Sequence, residues 1–215
     1  MPNEPASVHD EFTQMYAGNP PWEIGRPQSP FIEAAGQIIS PVLDAGCGTG
    51  NVSLYFAALG HQVTGIDFVE EAILRARAKA AARGLPVQFE IKDAMTLGEW
   101  DQRFASVIDS GLFHIYHGRE REQYAQGLAH ILNPGGRLFL FGFSDQEPPR
   151  PGRPVGLSRR ELSDAFSDGW TIESLNLVRG ELNPAFLAES PQSAGDGGPL
   201  MWFAVIRRAA PGVEL

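Results

Sequence analysis

The 215-residue sequence holds a single cysteine, Cys47. One thiol forms no internal disulfide, which excludes a disulfide-stapled scaffold and fits a reducing cytoplasm. It also excludes a zinc site built from several cysteines. No stretch approaches the roughly 20 apolar residues that span a bilayer, and the opening MPNEPASVHDEF lacks the basic head and apolar core of a secretory leader. Basic residues are scarce as well: 17 Lys plus Arg stand against 26 Asp plus Glu, a formal net charge of −9. A chain that binds nucleic acid unaided needs a basic face to neutralise phosphates, so this balance argues against DNA or RNA as a partner, although it leaves room for a local patch. There are no internal repeats. With 43% apolar and 20% charged residues, what remains is an acidic globular chain, expected in the cytoplasm, with no membrane partner and one sizeable core.

The pattern changes near Pro41. Residues 1–40 read as an extension: a short apolar pattern around Phe12, Met15 and Tyr16, then the turn-rich GNPPWEIGRPQSP, whose prolines forbid a long helix. Residues 41–215 read as one α/β domain. PVLDAG is a buried strand running into a glycine loop, NVSLYFAALG a helix, and HQVTGID a second strand. VEEAILRARAKAAARG is a helix with acids early, bases late and Gly84 closing it. VQFEIKD is a third strand with Val87, Phe89 and Ile91 on one face, and FASVIDS is a fourth. REREQYAQGLAHIL is a helix expected to stop at Asn133-Pro134-Gly135-Gly136, and the apolar RLFLFGF is a central fifth strand. After the loop over 144–156, Ser158–Glu161 spells a capping box for a helix through Phe166. TIESLNLV and LMWFAVIRR, separated by a Pro/Gly/Ser-rich stretch without a clear helix, complete seven strands. The alternation predicts a Rossmann-like, doubly wound, mostly parallel sheet with an antiparallel C-terminal edge hairpin. In such sheets ligands sit at the carboxyl ends of the strands, near the switch in strand order.

The segment Asp44-Ala45-Gly46-Cys47-Gly48-Thr49-Gly50 carries the most information. Glycines between a buried strand and a helix let the backbone turn tightly and approach a ligand. The dinucleotide fingerprint G-x-G-x-x-G fails, because Asn51 and Ser53 stand where its third glycine belongs, and no triphosphate-binding loop is present. An acid ahead of the glycines would repel a pyrophosphate but hydrogen-bond a cationic amino group. Asp67, at the end of the second strand, lies 23 positions after Asp44, near the ~20-residue offset at which an acid binds ribose hydroxyls. Phe68 beside it can lie against adenine, and Asp93 after the third strand can accept from the adenine amino group. Amino group, ribose and base are the parts of one adenosyl amino acid.

From Val42 to Phe143 the sequence resembles the class I S-adenosylmethionine-dependent methyltransferases: LDAGCGTG is similar to their first motif, GIDF to their ribose-binding acid, KDA to their adenine contact and LNPGGRL to their fifth-strand motif. The resemblance implies S-adenosylmethionine as cofactor, without a metal. Asp44, Gly46, Cys47 (through its backbone), Gly48, Asp67, Phe68, Asp93 and Ala94 would bind it, and Asp109 and Ser110 would line its methionine end. Pro21-Trp22-Glu23-Ile24-Gly25-Arg26-Pro27 resembles a segment of the thiopurine and thiol methyltransferase branch and of heterocyclic-toxin methyltransferases, where it closes over the methionine moiety. It adds Tyr16, Trp22 and Arg26 to the cofactor set and makes residues 1–40 a lid; Glu23 replaces the branch's Asp.

No proline stands directly after Asp109, where Ser110-Gly111-Leu112-Phe113 follow, so the motif of methyltransferases acting on amino groups of DNA or protein is missing. Phe113 and His114 are expected to face the acceptor. His114, or less directly His117, can take a proton from an O–H or N–H group, because imidazole titrates near neutrality. Tyr16, Trp22, Phe113, Phe186 and Trp202 suggest a small, flat, hydrophobic acceptor. The reading is transfer of a methyl group to S, N or O of a small molecule, with His114 as the catalytic candidate. A protein or nucleic-acid methyltransferase, a non-catalytic S-adenosylmethionine-binding protein and a nicotinamide-dependent dehydrogenase remain as alternatives, and the oligomeric state is open.

Overall fold

A computed structural model of the chain describes residues 8–18, 20–146, 155–189 and 198–210. The extension forms two helices, α1 (Val8–Ala17) and α2 (Ser29–Glu33), joined through the proline-rich stretch. The four residues of β1 (Val42–Ala45) are all buried, as a central parallel strand requires. Next come α3 (Asn51–Ala58), β2 (Val63–Asp67) and α4 (Glu70–Arg83). In α4 the acids Glu70 and Glu71 open the first turn, Arg83 closes the last, and Gly84 takes the left-handed cap at φ 61°. Then follow β3 (Val87–Ile91), a 3₁₀ turn at Ala94–Glu99, β4 (Phe104–Ser110), α5 (Arg119–Ile131) and β5 (Leu132–Phe143). The chain ends with α6 (Arg159–Ala165), β6 (Trp170–Arg179), α7 (Pro184–Glu189) and β7 (Leu200–Arg208). Both reciprocal bonds of the Ser158–Glu161 capping box are present at α6.

The seven strands lie in the order β3-β2-β1-β4-β5-β7-β6. β1 pairs in parallel with both β2 and β4, and β7 runs antiparallel to β5 and β6. The order reverses at β1/β4, where Ala45 stands beside Asp109. Side chains alternate across β5. Leu138 and Leu140 join the core under α5 and α6, while Phe139 and Phe141 join the core that holds Phe31 of α2 and Phe56 of α3. Among the described residues no helix is long and apolar enough to cross a membrane.

Two local expectations are corrected. Asn133–Gly136 does not form a terminating turn: α5 ends at Ile131 and β5 starts at once, with a shift of register between Phe104 and Ser106 on its neighbour. The same residues serve as an irregularity within the ladder. The stretch expected to lack a helix contains α7, and its residues 190–197 lie outside the described ones, as do 147–154 of the loop after β5. Val87, Phe89 and Ile91 alternate with Gln88 and Glu90 along β3, and on this edge strand Phe89 is buried while Ile91 is 48% exposed.

Candidate active site

At the carboxyl ends of β1, β2, β4 and β5 lies a cavity of about 810 Å³. Its floor is the glycine loop. Gly46, Gly48 and Gly50 all have positive φ, and at two of them space is also closed. A Cβ at Gly50 would stand 2.7 Å from the Phe89 ring, and one at Gly48 would stand 2.5 Å from the Tyr16 hydroxyl. The loop is held open by backbone bonds from Cys47 to Ile66 and from Gly50 to Cys47. Asp67 secures it further, because its two carboxylate oxygens accept from the amides of Gly48 and Val69, both at 2.9 Å.

Asp44 is buried. One of its oxygens accepts from Ser53 Oγ at 2.6 Å, and the other, Oδ1, has no partner. Burial pushes its carboxyl up to about 7, against the Ser53 bonds, with the Asp67 and Asp109 charges adding to the rise. Burial also raises Asp67 against its two amide donors. An unpartnered buried carboxylate oxygen facing a glycine cradle suits a cationic amino group and repels phosphate. Ser53, whose presence breaks the dinucleotide fingerprint, is the residue that orients this acid.

The opposite wall comes from the extension and the last third of the chain. Tyr16 is buried over the loop and accepts from Trp22 Nε1 at 3.3 Å. Burial, with the Asp67 charge, drives its phenol well above the ordinary value. Arg26 pairs with Glu181, which also accepts from Ser29 Oγ at 2.9 Å. The Gln28 side chain bonds both ways with the Glu181 backbone, at 3.0 and 2.8 Å, and Asn183 donates to the carbonyls of Pro20 and Pro21. Phe141, Phe143, Phe186 and Met201 line the same cavity as His114 and give it an apolar lobe. His114 is buried, lies edge-on to Phe143 with ring centroids 4.9 Å apart, and leaves Nδ1 without a partner. Burial, then the charges of Arg121 and His117, lower its imidazole to about 4, so the neutral ring is the form present near pH 7.

The cavity thus brings together Tyr16, Trp22, Arg26, Asp44, Gly46, Cys47, Gly48, Asp67, Phe68, Ser110, His114 and Phe186. It does not bring in Asp93, Ala94 or Asp109. Asp93 is exposed and turned to cap the 3₁₀ turn, accepting from the Met95 amide at 2.9 Å. Ala94 packs in the core under α5. Asp109 is wholly buried below the cavity, accepting from the amides of Leu112 and Phe113 and from Tyr124 Oη, and burial against those donors pushes it up to about 6. Phe113 and Trp202 are core residues too, and His117 is exposed and off the cavity wall. Sequence reasoning missed the partners across the extension: Glu23 with Thr49, Asn51 and Lys79, and Gln28 with Glu181. The only signal was that an acid and an amide sit in an otherwise rigid proline-rich stretch.

An open α/β sheet whose switch point carries an acid, a glycine cradle and a second acid, under an aromatic wall, suits a cationic adenosyl ligand. Residues 42–136 match the methyltransferase domain family. The chain is 34% identical over 197 residues to 2-heptyl-1-hydroxyquinolin-4(1H)-one methyltransferase of Mycobacteroides abscessus, covering 90% of this chain and 84% of that one. It is also similar to a solved structure described for the conversion of a disulfide bond into a thioacetal group during echinomycin biosynthesis, with 34% identity, a TM-score of 0.79 and coverage of 96% and 94%. The Burkholderia thailandensis 1,6-didemethyltoxoflavin-N1-methyltransferase, solved with S-adenosylhomocysteine bound, shares the fold at 22% identity, with a TM-score of 0.67 over 96% of this chain and 93% of that one. The chain belongs to the class I S-adenosylmethionine-dependent methyltransferases.

Proposed function

We propose that the protein methylates a heteroatom, S, N or O, of a small, flat, apolar molecule that enters the lobe around His114. The observation that carries this reading is that lobe itself: a buried, neutral imidazole against Phe143, in one cavity with Phe141, Phe186, Met201 and the glycine cradle. The hydroxyquinolone named for the mycobacterial relative is such a molecule. S-adenosylmethionine, when bound, supplies an electrophilic methyl group on its sulfonium sulfur. The residues suit it: Asp44 Oδ1 would take the amino group, Asp67 the ribose hydroxyls with lone pairs its two amide donors leave free, and Phe68 the base.

His114 would accept the proton of an O–H or N–H acceptor, and a thiol or acidic heterocycle that is already ionised would need it less. Residues 20–28, with Trp22 against Tyr16, would cover the site, exclude water and hold the acceptor in line. A protein or nucleic-acid acceptor is the lesser reading, since the apolar lobe offers no basic groove. The test is a screen of quinolones, phenols, heterocyclic amines and thiols for a product gaining one methyl group, with equal release of S-adenosylhomocysteine. A methylated small product supports the reading, and none across all four classes opposes it.

A further inference from the structure

At the rim of the cradle, away from the acceptor lobe, one polar cluster ties together three parts of the chain that are remote in sequence. Glu23 stands next to Trp22 in the proline-rich stretch. Thr49 and Asn51 flank Gly50, and Lys79 lies in α4. Thr49 Oγ1 and Asn51 Nδ2 donate to the two Glu23 oxygens. Lys79 Nζ donates to Glu23 at 3.3 Å, to Thr49 Oγ1 at 2.6 Å and to Asn51 Oδ1 at 3.0 Å. Each contact crosses between elements, and the carboxylate, hydroxyl, amide and ammonium satisfy one another. Burial alone would raise the Glu23 carboxyl; the Thr49, Asn51 and Lys79 partners outweigh it and hold the carboxyl below its ordinary range.

We propose that Glu23 is a positioning residue that latches the 20–28 stretch onto the glycine loop and so sets how long the cofactor stays bound. This rests on the reading of that stretch as a cover. Glu23, Thr49 and Asn51 all border the cavity, so the latch spans the seam between cover and cradle. The far side of the cover is fastened to residues 181–183, by the Arg26–Glu181 ion pair, by bonds of Gln28 to the Glu181 backbone and by those of Asn183 to Pro20 and Pro21. Opening at the Glu23 side therefore swings the stretch about its attachment to residues 181–183. The Lys79 and Glu23 side chains are 32% and 22% exposed. That is wet enough for the pair to break and re-form, and dry enough for it to count. Such a contact acts on release more than on folding, because lids and binding loops belong to the less stable parts of a structure.

The experiment follows release of radiolabelled S-adenosylmethionine into excess S-adenosylhomocysteine for wild type, Glu23→Gln, Lys79→Met, the double variant and Trp22→Ala. Thermal unfolding of each ligand-free protein is measured alongside. The expected result is release roughly 5- to 30-fold faster for each single latch variant, as loss of hydrogen bonds to a charged group implies, no further gain in the double variant, and ligand-free midpoints close to wild type. Unchanged release in Glu23→Gln, additive effects in the double variant, or faster release matched by an equal loss of ligand-free stability would each overturn the latch. Trp22→Ala separates the two claims. If it releases faster while Glu23→Gln does not, only the latch fails; if it releases at the wild-type rate, the cover fails and the latch with it.

Discussion

Replacing Asp67 by alanine removes the acceptor of two backbone N–H groups, those of Gly48 and Val69, each bonded at 2.9 Å. An N–H left without a partner in a buried position costs about 1–3 kcal/mol, so the pair sets an upper range of about 2–6 kcal/mol. Two effects reduce it. Asp67 borders the cavity, so water can reach part of the vacated space, and its own carboxylate is destabilised by burial. A net loss of about 1–3 kcal/mol follows, which for a domain of this size lowers the thermal midpoint by roughly 2–12 °C. Affinity for S-adenosylhomocysteine should fall separately. Losing two hydrogen bonds to a charged acceptor, at about 1.5–3 kcal/mol each before water compensates, corresponds to roughly a 10- to 1,000-fold rise in Kd. Thermal unfolding of the ligand-free protein reads the first effect, and calorimetry well below the midpoint reads the second. An unchanged midpoint would refute the structural role of Asp67, and a change in Kd under twofold would refute its place at the ribose.

Asp44 and Asp109 carry carboxyls raised to about 7 and about 6. A raised folded-state value means stability that is complete below the unfolded value near 3.8 and is lost as pH climbs through the folded one. Asp44→Asn should therefore make the ligand-free protein more stable than wild type by a margin that grows from pH 5 to pH 8, while abolishing tight cofactor binding; urea midpoints that run parallel with pH would count against it. His114→Ala should slow transfer to hydroxyl or N–H acceptors by about 10²- to 10⁴-fold and transfer to thiols far less, and equal losses on both classes would remove His114 from the proton's path. Because its imidazole is held near 4, wild-type rates with a hydroxyl acceptor should show no loss from His114 protonation between pH 5 and pH 8. Trp22→Ala should reduce turnover more than stability, and chymotrypsin cleavage after Trp22 in the wild type should slow when S-adenosylhomocysteine is added; cleavage indifferent to the ligand would reduce the stretch to a surface strap.

The parts of this site that sequence reveals are those whose signal is local. An acid, three alternating glycines and a second acid at the next strand end specify a turn, a cradle and a ligand type within one stretch of chain, and Asp44, Gly48 and Asp67 meet in space as that stretch implies. Strand-end acids are more ambiguous, because the same carboxylate can cap the turn that follows it. Asp93 and Asp109 do that instead of facing the cavity, and Asp67 does it while also bordering the cavity. Asn133–Gly136 shows the parallel ambiguity of turn residues, which serve a bulge as readily as a loop. The Glu23 cluster joins residues 26, 28 and 56 positions apart, and no local periodicity encodes such a meeting. The attachment of Asn183, just before α7, to Pro20 and Pro21 of the proline-rich stretch is long-range in the same way.

The central reading is that the cradle around Asp44 and Asp67 feeds a methyl group to a small acceptor in the lobe around His114. The direct measurement supplies S-adenosylmethionine bearing an isotopically labelled methyl group, together with the purified protein and one hydroxyquinolone, one phenol, one heterocyclic amine and one aryl thiol, and follows the label by mass spectrometry. The expected result is labelled methyl on a heteroatom of at least one acceptor, matched by S-adenosylhomocysteine, and lost in Asp44→Asn. Label appearing only on added protein or nucleic acid, or cofactor bound tightly with no label transferred to any of the four, would contradict it.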